Sequence, residues 1–326
     1  MRLEEGVGMG EITEGGSMDA NRREPVHIPV LAEEVIKAIG AECERDCEGW
    51  FVDATLGAAG HSTLLLEAFP KMRLLGTDQD PEILALARER LAPFGDRVHT
   101  ESTRLSDLGR LIRKLRIDKP VAMLMDLGVS SLQLDRPERG FSFQYDGPLD
   151  MRMDPTRERT AAEIVNNWDE RDLADLFFYE GGETRARGIA TAIVEARHRS
   201  PFRRTGAFAD LVARAVGRPA GGGKVHPATK VFAALRRAVN EETEELRAGL
   251  EVAENWLADG GVLAAIAFHH AEDGEVKRFL KEGSKGGRWD VRTKKPIKPQ
   301  HAEERANRRA RSALMRIGVR KRGAGE

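Results

Sequence analysis

Asp53-Ala-Thr-Leu-Gly57-Ala-Ala-Gly60-His61 lies between a short apolar run at residues 50–52 and a helical pattern at residues 62–69. A second apolar run, residues 71–78, ends in Asp78. This order predicts a strand, a glycine-containing turn, a helix and a second strand. Glycines at such a turn let a ligand approach the backbone closely, and an acid about 20 residues further on can bind ribose hydroxyls. The pattern favours a nucleoside-containing cofactor, with glycines that only permit tight packing as the alternative.

The residue before the turn narrows the choice of cofactor. A dinucleotide site has the pattern G-x-G-x-x-G, with the pyrophosphate at the helix N-terminus. Here the turn is G-A-A-G and follows Asp53, whose carboxylate would repel a pyrophosphate. The same carboxylate suits a cofactor with a cationic amino-acid tail. We therefore expect S-adenosylmethionine rather than a dinucleotide.

The composition is that of an ordinary globular protein. The chain has 326 residues, of which 32% are charged and 40% hydrophobic, and it contains no apolar run long enough to span a membrane. Residues 1–24 lack the apolar segment of a signal peptide, so we expect a disordered leader and a cytoplasmic location. Cys43 and Cys47 lack the second pair of ligands that a zinc site needs, and no metal site is expected.

Positive charge is concentrated near the C-terminus. The whole chain has a formal net charge of −1, yet residues 271–326 contain 17 Lys or Arg against 8 Asp or Glu. Pairs such as Lys294-Lys295 and Arg308-Arg309 could hold nucleic-acid phosphates. A solvated basic tail is an equal alternative. This distribution weakly favours a nucleic-acid partner.

The alternation of strands and helices predicts an α/β fold with an interruption. The predicted strands are residues 50–53, 71–78, 97–99, 121–126, 262–268 and 311–317. A gap of about 130 residues before the fifth strand carries helical periodicity and is too long for a loop. We predict a leader at 1–24, a sheet domain in two parts at 25–134 and 232–326, the second with the basic tail, and an inserted helical domain at 135–231.

These segments together resemble a known family, the bacterial small-subunit ribosomal RNA cytosine-N4 methyltransferases. The resemblance extends from about residue 27 to 317. Its motifs are His27-Ile-Pro-Val30, Phe51-Val-Asp-Ala-Thr-Leu-Gly57 through His61, Gly76-Thr-Asp78-Gln-Asp80-Pro81, Asp126-Leu-Gly-Val-Ser-Ser131, Gln133-Leu-Asp135, Glu138-Arg-Gly-Phe-Ser-Phe143, Gly147-Pro-Leu-Asp-Met-Arg-Met-Asp154, His226-Pro-Ala-Thr229 and Ala234-Leu-Arg-Arg-Ala-Val-Asn240. The resemblance implies a class I, Rossmann-like methyltransferase sheet domain with an inserted helical domain.

The resemblance also implies a set of cofactor contacts. Together with Asp53, which the turn itself suggests, the expected cofactor-binding residues are Ala59, Gly60, His61, Asp78, Asp126, Gln133 and Ser102. At Ser102 the family has a Phe beside the adenine, so this chain lacks a stacking ring there. Ala59 also departs from the family, which usually has Gly at this position.

Transfer of a methyl group to cytosine N4 requires an acceptor for the proton that the amine loses. Asp126, at a strand end, is the leading candidate, and cofactor binding is its equally weighted alternative role. A carboxylate that accepts from cytosine N4 is a known pairing. His269 follows the strand at 262–268 and is the second candidate, with a structural role as its alternative.

Four residues just beyond the fourth strand are candidates for RNA contacts. Phe141 and Phe143 could stack on a base that is splayed out of the RNA, or could pack between the two domains. Arg139 and Arg152 could hold flanking phosphates. For Arg152, an interdomain salt bridge with Asp154 is the alternative.

The expected function is S-adenosylmethionine-dependent N4-methylation of a cytidine of small-subunit (16S) rRNA at the decoding centre, with the rRNA within the assembled subunit as partner. The family pattern S-F-H-S-L-E-D-R appears here as residues 267–274, with Ala267, His270 and Gly274 in place of two hydroxyls and a guanidinium. These departures, with Ser102, leave open a ribosome-assembly factor with little catalysis, or a methyltransferase with another RNA target. The oligomeric state is left open, with a homodimer as one option.

Overall fold

The computed structural model describes residues 29–217 and 226–323, and within these ranges seven strands form one sheet. The strands are β1 (Gly49–Asp53), β2 (Met72–Asp78), β3 (Val98–Ser102), β4 (Ala122–Asp126), β5 (Val262–Ala267), β6 (Trp289–Val291) and β7 (Leu314–Arg320). Their order in the sheet is β3-β2-β1-β4-β5-β7-β6. β7 is antiparallel to both of its neighbours, and the pairs among the first five strands are parallel. This is the sheet of a Rossmann-like methyltransferase, which confirms the predicted fold class.

Helices cover both faces of the sheet and also form a separate layer. They are α1 (Ala32–Gly40), α2 (Gly60–Ala68), α3 (Pro81–Leu91), α4 (Leu108–Lys114), α5 (Ser131–Asp135), α6 (Ala161–Asn167), α7 (Glu170–Asp175), α8 (Ala186–Arg197), α9 (Thr205–Val216), α10 (Thr229–Asn240), α11 (Glu242–Trp256), α12 (His270–Lys285) and α13 (His301–Ala306). A π-helical turn, Leu176–Glu180, continues α7. No helix in the described ranges is long and apolar enough to span a membrane.

The central strands are apolar along their whole length because helices pack on both of their faces. Every residue of β5 is buried, and β4 is buried up to its last residue, Asp126. Parallel strands buried on both faces have this continuous pattern rather than an alternating one. Their parallel direction brings the strand-end acids to one edge of the sheet.

A second apolar core lies between β4 and β5 in the sequence. It extends from Phe141 to Val239 and is built by α6, α8, α9 and α10. The boundary expected after Val231 falls inside α10, whose buried face belongs to this core. One residue, Glu241, separates α10 from α11, and it adopts a left-handed conformation with φ of +52°. The division into domains stays a prediction.

Some elements were not predicted from the sequence. β6 has only three residues, α13 has six, and α1 precedes the first motif that we interpreted as a strand. The last strand lies three residues later than expected, at Leu314–Arg320. The leader at residues 1–24 and most of the glycine-rich segment at 217–223 lie outside the described residues.

Candidate active site

Three acids meet at the carboxyl edge of the sheet. Asp53, Asp78 and Asp126 are the last residues of β1, β2 and β4, and β1 lies between the other two strands. The turn after β1 is bonded to both neighbours: the Leu56 amide donates to the Thr77 carbonyl at 2.8 Å, and the Asp126 amide donates to Thr55 Oγ1 at 2.6 Å. The strand ends are therefore held as one rigid unit.

The glycine turn is held by the acid of the neighbouring strand. The Gly57 amide donates to Asp78 Oδ2, and the Asp80 amide donates to Asp78 Oδ1, each at 2.9 Å. Gly57 has φ of +53°, in the region that glycine adopts without strain. Ala59, with φ of +59°, occupies the same region at the start of α2, where a Cβ costs about 1–2 kcal/mol. Ala59 therefore holds a left-handed conformation in spite of its Cβ.

Asp53 lies beneath the turn rather than facing outward. Its carboxylate is buried and accepts from Ser62 Oγ at 2.6 Å and from the Thr55 amide at 3.3 Å. Burial raises the pKa of Asp53 to about 6, while the Ser62 hydroxyl opposes that rise. Asp53 thus fastens the first turn of α2 to β1, and any effect on a cationic cofactor tail would be electrostatic.

His61 and Asp126 face each other at the centre of the edge. His61 Nε2 lies 2.8 Å from the Val30 carbonyl, so this nitrogen carries the proton that the carbonyl accepts. His61 Nδ1 lies 3.6 Å from Asp126 Oδ2. Burial lowers the pKa of His61, which favours the neutral imidazole with a lone pair on Nδ1.

Asp126 is the acid with an unused oxygen. Its Oδ1 is buried and has no hydrogen-bond partner within the described ranges, although the side chain as a whole is 27% exposed. Burial raises the pKa of Asp126 to about 7. A buried acceptor without a partner is costly unless a ligand supplies the donor. Asp126 Oδ1 is therefore one of two buried acceptors at this edge that lack a partner among the described residues, the other being Gln79 Oε1.

A cavity of about 70 Å³ opens beside these acids. Thr55, Gln79 and Leu127, each just beyond a strand end, contribute to its lining, as do Leu105 and Leu246. Leucines on its walls suit a flat apolar ring. Sequence reasoning missed Gln79, Leu105 and Leu127, although two of them directly follow the strand-end acids Asp78 and Asp126.

Ser102 lies where an adenine-side residue is expected. It is the last residue of β3 and pairs in register with Asp78, but it is exposed and presents no ring. The structure thus brings Ser102 next to the expected ribose acid. Gly60 and His61 are the first two residues of α2. They follow the turn at Gly57, whose amide donates to Asp78.

Gln133 is buried and both ends of its amide are bonded within the protein. Oε1 accepts from the Ser130 amide at 3.0 Å, and Nε2 donates to Asp80 Oδ2 at 2.8 Å. Asp80 also caps α3 by accepting from the Glu82 amide. The structure therefore makes Gln133 a link between the loop after β4 and the start of α3, and a cofactor contact stays only a prediction.

His269 caps a helix. It is the N-cap of α12, and its Nδ1 accepts from the Ala271 amide at 3.3 Å and from Arg237 Nη1 at 3.0 Å. Burial, followed by the charge of Arg237, lowers the pKa of His269. The lone pair that a proton acceptor needs is already engaged. This geometry favours the structural alternative for His269.

Both arginines that were expected to contact RNA donate to groups of the protein instead. Arg139 is 10% exposed, and its Nη2 donates to Asp80 Oδ2 at 2.8 Å and to two backbone carbonyls. Arg152 donates to both carboxylate oxygens of Asp150 at 2.8 Å, rather than to Asp154. Neither guanidinium is free for a phosphate in this structure.

The two phenylalanines pack inside the helical layer. Phe141 is 6% exposed, and Phe143 contacts the rings of His226 and Phe232 at 4.6 and 4.7 Å. Both belong to or pack against the second apolar core. The exposed aromatic side chains are instead Tyr145, Phe178 and Tyr179. The two rings thus pack in or against the second core rather than between the two domains, and base stacking stays a prediction.

Comparison with known proteins identifies the family. The model of the MraW methylase family matches residues 24–321. The chain belongs to this family. "Ribosomal RNA small subunit methyltransferase H" of Synechococcus elongatus is 45% identical over 90% of this chain and 94% of its own length. The proteins with the same name from Cyanothece sp. and Sorangium cellulosum are 46% and 45% identical, over 90% and 91% of this chain and 95% and 92% of theirs.

The protein is thus an S-adenosylmethionine-dependent methyltransferase, and the edge fits that cofactor. The turn at Gly57 has no side chain that would block a ligand, and the neighbouring cavity is lined by leucines together with the carboxylates of Glu242, Glu245 and Glu272. These features match a ligand with a cationic tail and a flat ring. The individual contacts at Asp53, Ala59, Gly60, His61, Asp78, Ser102, Asp126 and Gln133 stay predictions.

Proposed function

We propose that this protein methylates the exocyclic N4 amine of a cytidine in small-subunit ribosomal RNA at the decoding centre. The observation that carries the proposal is Asp126 Oδ1, a buried carboxylate oxygen at the end of β4 without a partner in the described part of the chain. Such an oxygen can accept a hydrogen bond from an amino-nucleobase. Relatives named for small-subunit ribosomal RNA support the choice of RNA.

Bound S-adenosylmethionine would supply a methyl group from a positively charged sulfur, which would keep the electron pair of the broken S–C bond as a neutral thioether. Asp126 would hold the amine by accepting from one N–H, which orients the nitrogen for in-line attack. As the nitrogen gains the methyl group it must lose a proton, and Asp126 Oδ1 would receive it. With a pKa raised to about 7 by burial, this carboxylate is a better acceptor than an ordinary one.

His61 would favour this proton uptake from the opposite side of the Asp126 carboxylate. Its Nδ1 lone pair faces the other carboxylate oxygen, Oδ2, and the repulsion between the two is reduced when Asp126 takes up the proton at Oδ1. Thr55 fixes the strand end by accepting from the Asp126 amide. His269 has no comparable free lone pair, so we assign the proton to Asp126 rather than to His269.

Recognition of the target is expected to involve RNA shape. A base in folded RNA must be splayed out before its amine can reach the edge of the sheet. We expect rRNA within the assembled small subunit as the substrate and a cytoplasmic location. Because Arg139, Phe141, Phe143 and Arg152 are engaged within the protein, other residues are needed to hold the RNA.

The test is methyl transfer from labelled S-adenosylmethionine to small ribosomal subunits that lack the modification, followed by nucleoside mass spectrometry. N4-methylcytidine is the expected product. Another methylated nucleoside would move the target and overturn the cytosine proposal. Protein-free rRNA methylated as fast as subunits would overturn only the requirement for assembly.

A further inference from the structure

Six exposed cations lie on the segment that connects β6 to β7. We call them the basic rim: Lys294, Lys295, Lys298, Arg305, Arg308 and Arg311. None forms an ion pair with another residue that the structure describes. The two acids nearby are used elsewhere, since Glu303 accepts from the Leu31 amide and Glu304 contacts His301. The segment therefore presents uncompensated positive charge.

The register of the sheet places this segment beside the candidate active site. Asp126 pairs with Ile266, Ile266 pairs with Met315, and Met315 forms an isolated bridge with Ile297. Lys298 directly follows Ile297. Three strand spacings of about 4.8 Å separate these positions, so the backbone of Ile297, the neighbour of Lys298, lies roughly 14 Å from that of Asp126.

The rim is anchored and is not a loose tail. The Ile297 amide donates to the Met315 carbonyl, and the Met315 amide donates back, each at 2.9 Å. The Leu31 amide donates to Glu303 Oε1 at 2.7 Å, next to the Val30 carbonyl that accepts from His61. Ala310 and Ala313 are buried in the core beneath the sheet. These contacts hold the exposed cations at the edge where methyl transfer would occur.

We infer that the basic rim binds the phosphates of the RNA strand next to the target nucleotide. Lys and Arg that neutralise phosphates release counterions, and this term supplies much of the affinity for RNA without reading its sequence. At about 3.4 Å per nucleotide of a stacked strand, roughly 14 Å corresponds to about four nucleotides, the lower end of the roughly 4–16 nucleotides that a single-strand groove covers. The inference rests on the proposed RNA substrate, and it supplies the phosphate contacts that Arg139 and Arg152 do not make.

The test compares two variants with equal changes in charge. The rim variant carries Lys294→Gln, Lys295→Gln and Lys298→Gln. The control carries Lys277→Gln, Lys281→Gln and Lys285→Gln, three exposed lysines on one face of α12. The control lysines lie about 10–22 Å along the helix from its start at the sheet edge. Affinity for poly(U), which contains no target cytidine, and for undermethylated small subunits is measured between 50 and 300 mM salt, roughly the range where phosphate contacts dominate.

For the rim variant, the slope of the logarithm of the RNA association constant against the logarithm of the salt concentration should fall in magnitude by about 2. Its affinity for poly(U) at 0.1 M salt should fall up to about 100-fold. The control should match the wild-type protein. Equal salt slopes in all three proteins, or equal losses of RNA affinity in both variants, would overturn the inference that the basic rim binds RNA phosphates. Unchanged affinity for S-adenosylmethionine shows that both variants are folded.

The same measurements separate this inference from the proposed function. A loss of slope confined to the rim variant, without N4-methylcytidine in the methylation assay, would retain the rim and reject the cytosine substrate. N4-methylcytidine with equal slopes in all three proteins would retain the substrate and reject only the rim.

Discussion

The carboxylate of Asp126 faces the unprotonated nitrogen of His61, with 3.6 Å between Oδ2 and Nδ1. Since Nε2 of the same ring donates to a backbone carbonyl, the imidazole can offer Asp126 only a lone pair while it is neutral. Two lone pairs facing each other are unfavourable, so a proton between these residues is stabilising. The pair is thus prepared to receive the proton that an amine loses.

Asp126→Asn should lower kcat by about 10²–10⁴-fold, because the amide cannot accept the proton. The same change should raise the free energy of unfolding at pH 8 by about 1–3 kcal/mol, since it removes a poorly paired buried charge. Methyl-transfer kinetics and urea denaturation measure the two effects. Asp118→Asn, at an exposed carboxyl before β4, is the control and should change neither quantity.

The rate of methyl transfer should depend on pH around neutrality. Burial raises the pKa of Asp126 to about 7, so the accepting carboxylate predominates above that pH and is lost below it. We expect kcat to rise about tenfold per unit at low pH and to level off above about pH 7. A flat wild-type profile between pH 5.5 and 8.5 would contradict a role for Asp126 as acceptor. The residual rate of Asp126→Asn should show no such inflection.

The raised pKa of Asp126 also makes the free energy of unfolding depend on pH. The protonated form of Asp126 is favoured in the folded state relative to the unfolded chain, whose ordinary value is 3.8. The contribution of this group is therefore most favourable at low pH and is lost as pH rises towards 7. Asp126→Asn should remove this part of the pH dependence, which thermal unfolding at several pH values would detect.

His269→Asn should leave kcat within about threefold of the wild-type value, because Asn is also a good N-cap for α12. His269→Ala should cost about 1 kcal/mol of stability through loss of the cap. Loss of more than about 100-fold in kcat for the Asn variant, with unchanged stability, would instead indicate that His269 accepts the proton.

Arg139→Ala should act on stability. Arg139 and Asp80 form a nearly buried pair at 2.8 Å, and removal of one partner from such a pair costs about 3–5 kcal/mol. Arg136→Ala is a matched control, since Arg136 pairs with Glu82 at the surface and should cost less than about 1 kcal/mol. Chemical denaturation gives both values. A stable Arg139→Ala protein with reduced RNA affinity would restore the phosphate contact first expected for Arg139.

Local patterns were sufficient for the five parallel strands and for the acids at the ends of three of them. An apolar run that ends in an acid predicts a buried parallel strand, and parallel strands bring their carboxyl ends together, so Asp53, Asp78 and Asp126 could be placed from the sequence. The start of α3 at Pro81 was equally predictable, because Asp80 caps it locally. Short elements such as β6 carry too few residues for a periodic pattern.

The partners of the remaining site residues depend on contacts between distant segments. Arg139 meets Asp80 across 59 positions of the chain, Gln133 meets the same acid across 53, and Arg237 meets His269 across 32. The residue type states that a side chain can bind a phosphate, a cofactor or a proton. The tertiary structure decides whether that side chain pairs with a buried group of the protein instead of a ligand, because a charge removed from water must be paired. Composition likewise shows that the C-terminal part is basic, whereas the bridge between Ile297 and Met315 brings that charge to the active edge.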